Sequence, residues 1–353
     1  MRVMMINYFD IFPVTTGGRI ASYGYLKMLE NIATDLRVLI LEPHLNTETI
    51  NSGIKCSFAA YTPISCRIPN ITFSQNTMAT KEAFICSGII TNNLMYEDIK
   101  NYKPDIIVTN ASLDFNRISN NINVFRYTFD SIEKHIEETI PNLTINDKTN
   151  IEKLCEIMYK NYKGVFCCSS IDEDDRYNIK YVPFYVPIKN TTHTNTLESY
   201  ILLSGSKGWH RFEKSVNWCK QSLLDKLPQD TKLYIYCKNA ESYGKHNKIH
   251  YNSNPHGYDP TGIEWLIQPQ EYLSGIPCKI LEAMSHGIPT ICESNTFSSI
   301  FNQYEGIFDI KNIENIIQVK KRVILENKIK ESLTFHHGLE TTTKKMREKL
   351  CFI

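Results

Sequence analysis

Short apolar runs alternate with amphipathic stretches along this chain, and that alternation restricts the fold more than any other feature. Residues 2–8 (RVMMINY) form a strand-like run. A loop follows, Phe12-Pro-Val-Thr-Thr-Gly-Gly-Arg19, and then Ile20, Tyr23, Leu26, Met28 and Leu29 fall near helical spacing. Leu36–Leu41 is a second apolar run. Strand, helix and strand with short connections make a βαβ unit, which implies a parallel sheet and a right-handed crossover. Further strands are predicted at Asp105–Thr109 (after the turn signal Lys103-Pro104), Val124–Phe129 and Gly164–Cys168. Each empties into a polar loop, and those loops line one edge of the sheet.

Between Tyr181 and Leu197 the composition changes to prolines and then Lys-Asn-Thr-Thr-His-Thr-Asn-Thr, which reads as a linker. Beyond it the alternation restarts. Strands are predicted at Tyr200–Ser204, Lys232–Cys237, Ile263–Gln268 and Thr290–Cys292, with helices near Phe212–Leu224 and Lys279–Ser285. The tail from Leu325 to Leu350 reads as helix in at least one piece. A length of 353 residues is long for one core and sufficient for two. The expected fold class is therefore α/β, with two doubly wound parallel-sheet domains over residues 1–190 and 191–330. A C-terminal helix over 331–353 is expected to pack back on the N-terminal domain. Ligands of such sheets bind at the carboxyl ends of the strands, here in a cleft between the domains.

Composition narrows the partners. With 42% hydrophobic and 22% charged residues, the chain reads as globular rather than disordered. Lys+Arg 39 against Asp+Glu 38 leaves a net charge of +1, so no global field favours nucleic acid or an anionic membrane, although a local basic patch remains compatible with it. No apolar run approaches the roughly 20 residues that span a bilayer. The apolar N-terminus meets Asn7 and Asp10 too early for a signal peptide. A cytoplasmic location is expected, the inner membrane surface included. The 11 cysteines are scattered, with no CxxC pair, and read as reduced thiols. The sequons at Asn70, Asn110, Asn142 and Asn190 read as chance in that compartment.

The chemistry concentrates in Gly275-Ile-Pro-Cys-Lys-Ile-Leu-Glu-Ala-Met-Ser-His-Gly-Ile-Pro289. A loop ending Ser274-Gly275-Ile276-Pro277 feeds a helix whose Ile280, Leu281, Ala283 and Met284 face the core. Gly287 stands where a left-handed C-cap is wanted, and Pro289 follows. A Gly turn opening a helix presents N–H groups and the positive end of the dipole, which suits a pyrophosphate. Lys279 and Glu282 are three residues apart on one face. There a carboxylate can accept two ribose hydroxyls while the lysine opposes phosphate charge. The spacing fits equally a capped helix carrying a surface ion pair.

This segment resembles the C-terminal signature of glycosyltransferase family 4 (group 1), in its G-I-x-x-K-x-L-E-A-M form. Gly275, Lys279, Leu281, Glu282, Ala283, Met284, Gly287 and Pro289 fall in register. The resemblance implies a GT-B architecture of two Rossmann-like domains facing a central cleft, retention of anomeric configuration, and no cofactor or obligatory metal. It places Glu282 on the nucleotide ribose and the loop before it on the donor diphosphate, so that Ser274, Gly275, Ile276, Pro277, Lys279 and Glu282 bind the donor. Many members carry a second Glu eight residues before the first, facing the donor sugar; here that position is Ser274.

Other positions extend the resemblance. Leu203-Ser-Gly-Ser-Lys-Gly-Trp209 resembles a family turn with a basic residue on the diphosphate, which implies donor roles for Gly205, Ser206 and Lys207 and a catalytic one for Lys207. A turn with a solvated lysine is the alternative. Gly17-Gly18-Arg19 is similar to the family's Gly-rich loop near the phosphates and acceptor, but lacks G-x-G-x-x-G spacing. At the end of Val124–Ser131, where many relatives have His or His-Asp, stands Asp130. It is expected either to orient an acceptor hydroxyl or assist its deprotonation, or to cap the next helix. The run Asp172-Glu-Asp-Asp175 contains a D-x-D but follows a strand, and reads as acid at a helix N-terminus. No His/Cys cluster has zinc spacing.

The expectation is a glycosyltransferase that moves a sugar from a nucleoside-diphosphate donor to a hydroxyl of a glycan or lipid-linked sugar. A sugar-nucleotide epimerase on the same fold and a non-catalytic nucleotide-sugar-binding protein are the alternatives.

Overall fold

The computed structural model describes residues 1–8, 11, 14, 16–41, 57–60, 66–67, 69–75, 77–140, 142–191, 200–204, 210–227, 231–254, 259–316 and 322–351. They divide into two compact units: Met1–Tyr185 with Leu273–Ile276 and Leu339–Ile353, and Val186–Tyr272 with Pro277–Gly338. Each unit is built on its own parallel sheet.

The first unit contains β1 (Arg2–Asn7), α1 (Gly17–Ile32), β2 (Asp35–Ile40), β3 (Ser57–Ala60), β4 (Cys66–Arg67), α2 (Met78–Ser87), β5 (Ile89–Ile90) and α3 (Asn93–Tyr102). It continues with β6 (Ile106–Thr109), β7 (Ser112–Leu113), β8 (Asn123–Thr128), α4 (Ile132–Thr139), α5 (Ile145–Tyr159), β9 (Gly164–Cys167) and β10 (Ile179–Tyr181). Seven strands form the main sheet in the order β10-β9-β8-β6-β1-β2-β3, and every pairing is parallel. Val3 pairs with Leu36 on one side and Ile106 on the other. A central strand covered on both faces needs apolar residues in both directions, and Val3, Met4, Met5 and Ile6 are fully buried. A small sheet, β4-β5-β7, is made of two-residue strands. Strands so short carry no readable periodicity, and the sequence offered no sign of them.

The second unit contains β11 (Tyr200–Ser204), α6 (His210–Trp218), β12 (Lys232–Tyr236), β13 (Ile249–Asn252), β14 (Ile263–Gln268) and α7 (Cys278–Ser285). Then come β15 (Thr290–Cys292), the single turn α8 (Ser294–Thr296), β16 (Ile307–Asp309), the single turn α9 (Ile313–Ile316) and α10 (Arg322–His337). Its six strands run β13-β12-β11-β14-β15-β16, again all parallel. The chain closes with α11 (Leu339–Cys351), which packs on α1 within the first unit. A Cβ at Gly338, the residue after α10, would strike the Thr334 carbonyl.

Three sequence expectations change. Gly17, Gly18 and Arg19 are the first turn of α1 rather than a loop before it. The helix expected near 212–224 begins at His210 and, past Trp218, widens into a π turn over Cys219–Leu223. The acidic run after β9 does not open an α-helix; it lies across two 3-10 turns, Ser170–Asp172 and Asp175–Tyr177. Asp174 does cap the second turn, accepting the Arg176 N–H at 2.9 Å, but Asp172 closes the first and is buried.

Candidate functional site

In the first unit, the loops after β8 and β9 converge on the segment Leu273–Ile276. β8 ends at Thr128, whose hydroxyl donates to the Asp130 carbonyl at 2.8 Å, turning the chain sharply. The N-cap of α4 is Ser131, not Asp130: its hydroxyl accepts from Lys134 N–H at 3.5 Å. Asp130 is exposed just past the strand's carboxyl end. Ser131 is engaged a second time, because its own N–H donates to Ser274 Oγ at 2.5 Å.

Gly275 is the tightest point. Its φ of +75° lies in the left-handed region, where a side chain is disfavoured. A Cβ there would also run into Asp130 Oδ1. The Gly275 N–H donates to Asp172 Oδ2 at 2.6 Å. Asp172 is 3% exposed. Lys134 Nζ lies 3.5 Å from its other oxygen and also donates to the Ile171 carbonyl. Burial pushes the Asp172 carboxyl up to about 6, helped by the nearby Asp130 charge and opposed by the Gly275 N–H, Lys134 and the Ser274 hydroxyl. Ser274, fully buried, accepts from Ser131, and its hydroxyl is close enough to pull the Asp172 carboxyl down. A serine suits this place because it is small and serves as donor and acceptor at once.

In the second unit, α7 carries the other expected residues. Its N-cap, Pro277, makes no side-chain cap, and the Ile280 N–H turns back to the Pro277 carbonyl at 2.8 Å. Lys279 Nζ lies 3.0 Å from Glu282 Oε2, with the two side chains about a quarter exposed. They share one face of the first turns, as their spacing requires. Gly287 has a φ of +68°, and its N–H and that of Ile288 close the helix on Met284 and Ala283, as in a Schellman end. Buried Arg322 anchors this end, its guanidinium donating to the His286 carbonyl at 3.2 Å and to carbonyls at the start of β14.

Of the remaining expected residues, Gly17, Gly18 and Arg19 open α1 behind Thr16, which forms no side-chain cap. Gly205, Ser206 and Lys207 lie outside the described residues. Among the described residues no group of three or more His, Cys, Asp or Glu side chains is arranged to hold a metal ion. The structure thus brings Asp130, Ser274 and Gly275 together in the first unit, and Lys279 with Glu282 in the second. It adds Asp172, Lys134 and Ser131, which sequence reasoning missed.

No protein-family model and no curated protein matches the sequence. Solved structures do match in fold. HepE of Anabaena, in complex with UDP and glucose, superposes with a TM-score of 0.62 at 10% identity, over 99% of this chain and 100% of that one. TarM superposes at 0.64 with 9% identity, over 99% and 98%. The lipopolysaccharide outer core galactosyltransferase WaaB gives 0.56 and 12%, over 99% of both chains. At such identities what is shared is the architecture: the chain has the GT-B fold, with two Rossmann-like domains on parallel sheets.

Proposed function

We propose that the protein is a glycosyltransferase that moves a sugar from a nucleoside-diphosphate sugar to an acceptor hydroxyl, with retention and without a bound metal. The observation that carries this reading is α7: an uncapped N-terminus behind a left-handed Gly turn, with Lys279 and Glu282 adjacent on its first turns. Full-length likeness to proteins solved with UDP, HepE and the S. aureus TarM variant among them, supports a nucleotide-sugar donor.

The donor diphosphate is held by the amide end and dipole of α7, by Lys279 and by Lys207; Glu282 accepts the ribose hydroxyls. As the glycosidic bond to the diphosphate breaks, negative charge grows on the leaving oxygen, and these groups stabilise it. Asp130, exposed at the end of β8, orients the acceptor hydroxyl and assists loss of its proton. A glycan or lipid-linked sugar is the acceptor class.

Product analysis tests this. The protein is incubated with UDP-, GDP-, CDP-, ADP- and dTDP-sugars, with and without a panel of glycan and lipid-linked acceptors. A glycoside retaining the donor's configuration, formed only with acceptor, is expected. Conversion of the donor to an epimer without acceptor would instead establish an epimerase, and binding without turnover a non-catalytic protein.

A further inference from the structure

Asp172 has no part in the family signature and no capping duty, yet it is the only carboxylate among the described residues that the hydrogen bonds place on the Gly275 N–H. It meets the segment at that amide, at 2.6 Å. The charged and titratable groups facing it include Lys134 of α4, Asp130 just past β8 and the Cys167 thiol of β9. Only Ile276 and Pro277 separate Gly275 from the first residue of α7. Whatever fixes the Gly275 backbone therefore fixes the chain three residues ahead of the helix end assigned to the diphosphate.

We propose that Asp172 is a positioning residue for donor binding, holding the 273–276 segment in one backbone conformation through the Gly275 N–H. This rests on the donor reading given above. The role is local: an ionised or a neutral acceptor oxygen satisfies the amide, and Asp172 does not touch the donor. The amide, the Ser274 hydroxyl and Lys134 offset part of the hydration that the buried carboxylate loses.

The test uses the full chain as wild type, Asp172→Ala and Asp172→Asn, with two readouts. Amide hydrogen exchange is resolved at Gly275 without ligand, and UDP affinity is measured by calorimetry. In wild type the Gly275 amide is expected to exchange slowly. In Asp172→Ala it should exchange at least about tenfold faster while β1 and β6 amides keep their rates, and UDP affinity should fall about tenfold. Asp172→Asn, which keeps an acceptor oxygen, should restore both to within about threefold. Coil-like exchange at Gly275 in wild type overturns the proposal even if Asp172→Ala does not fold. So does faster Gly275 exchange in Asp172→Ala with unchanged UDP affinity, or failure of Asn to rescue. Should wild type bind neither UDP nor any other nucleoside diphosphate while the exchange results hold, the donor reading fails and the holding of the segment stands.

Discussion

Ser274 Oγ accepts the Ser131 N–H at 2.5 Å, tying the segment before α7 to the N-cap of α4 across 143 residues of sequence. The resemblance to glycosyltransferase family 4 leads one to expect a glutamate at this position. Here the site is fully buried and already holds Asp172. Replacing Ser274 by Glu should therefore be harmful rather than restorative. An added carboxylate beside a buried one should lower stability by about 3 kcal/mol or more, whereas Ser274→Ala, which strands the Ser131 amide and removes the hydroxyl beside Asp172, should cost about 1–2 kcal/mol. Denaturant unfolding of the two variants checks the order; a Ser274→Glu protein as stable as wild type contradicts it.

Gly275→Ala should fold less stably by about 1–3 kcal/mol, because its φ of +75° disfavours a side chain and the new Cβ meets Asp130 Oδ1. The same variant should bind UDP more weakly, since the turn must open to accommodate the methyl group. Thermal unfolding and calorimetry on one preparation provide both values. Unchanged stability contradicts the backbone geometry.

Asp172 makes stability depend on pH in an unusual direction. Its carboxyl titrates near 6 in the folded protein and near 4 when unfolded. The unfolded state therefore gives up its proton first as pH rises. The stabilisation associated with the neutral form is complete below pH 4 and lost as pH passes through 6. Asp172→Asn cannot titrate, so the stability of wild type relative to this variant should fall by about 3 kcal/mol between pH 4 and pH 7. Urea unfolding of both proteins across that range measures it, and a flat difference would show that Asp172 is not perturbed in this way.

Glu282→Ala should weaken UDP binding at least about tenfold by removing the ribose acceptor, and Lys207→Ala should mainly lower turnover with a smaller effect on affinity. Calorimetry with UDP separates the two residues. Unchanged affinity in the Glu282 variant removes that residue from the donor site.

Much of the sheet framework was legible in sequence, because β11, β14 and β15 are apolar runs bounded by turn residues and their limits were read to the residue. The close of α7 was equally plain, Gly287 and Pro289 being local signals. Asp172 was not. Its acidic neighbours imitate a helix start, and its true partner, the Gly275 amide, lies 103 residues away, beyond the reach of any spacing rule. Asp130 was read as either a site residue or a cap, and only the Ser131 hydroxyl on Lys134 N–H decides against the cap. Gly17, Gly18 and Arg19 read as a loop by their likeness to the family's Gly-rich loop, yet they open α1, where the penalty of glycine in a helix interior matters little.

A nucleoside-diphosphate sugar is the proposed donor, and a ligand that binds only the folded protein must raise its unfolding temperature. The direct measurement is thermal unfolding of the full chain with UDP-, GDP-, CDP-, ADP- and dTDP-sugars at concentrations up to the millimolar range. The expected result is a concentration-dependent rise with one nucleotide class, reduced in Glu282→Ala. No rise with any of them would contradict the proposal.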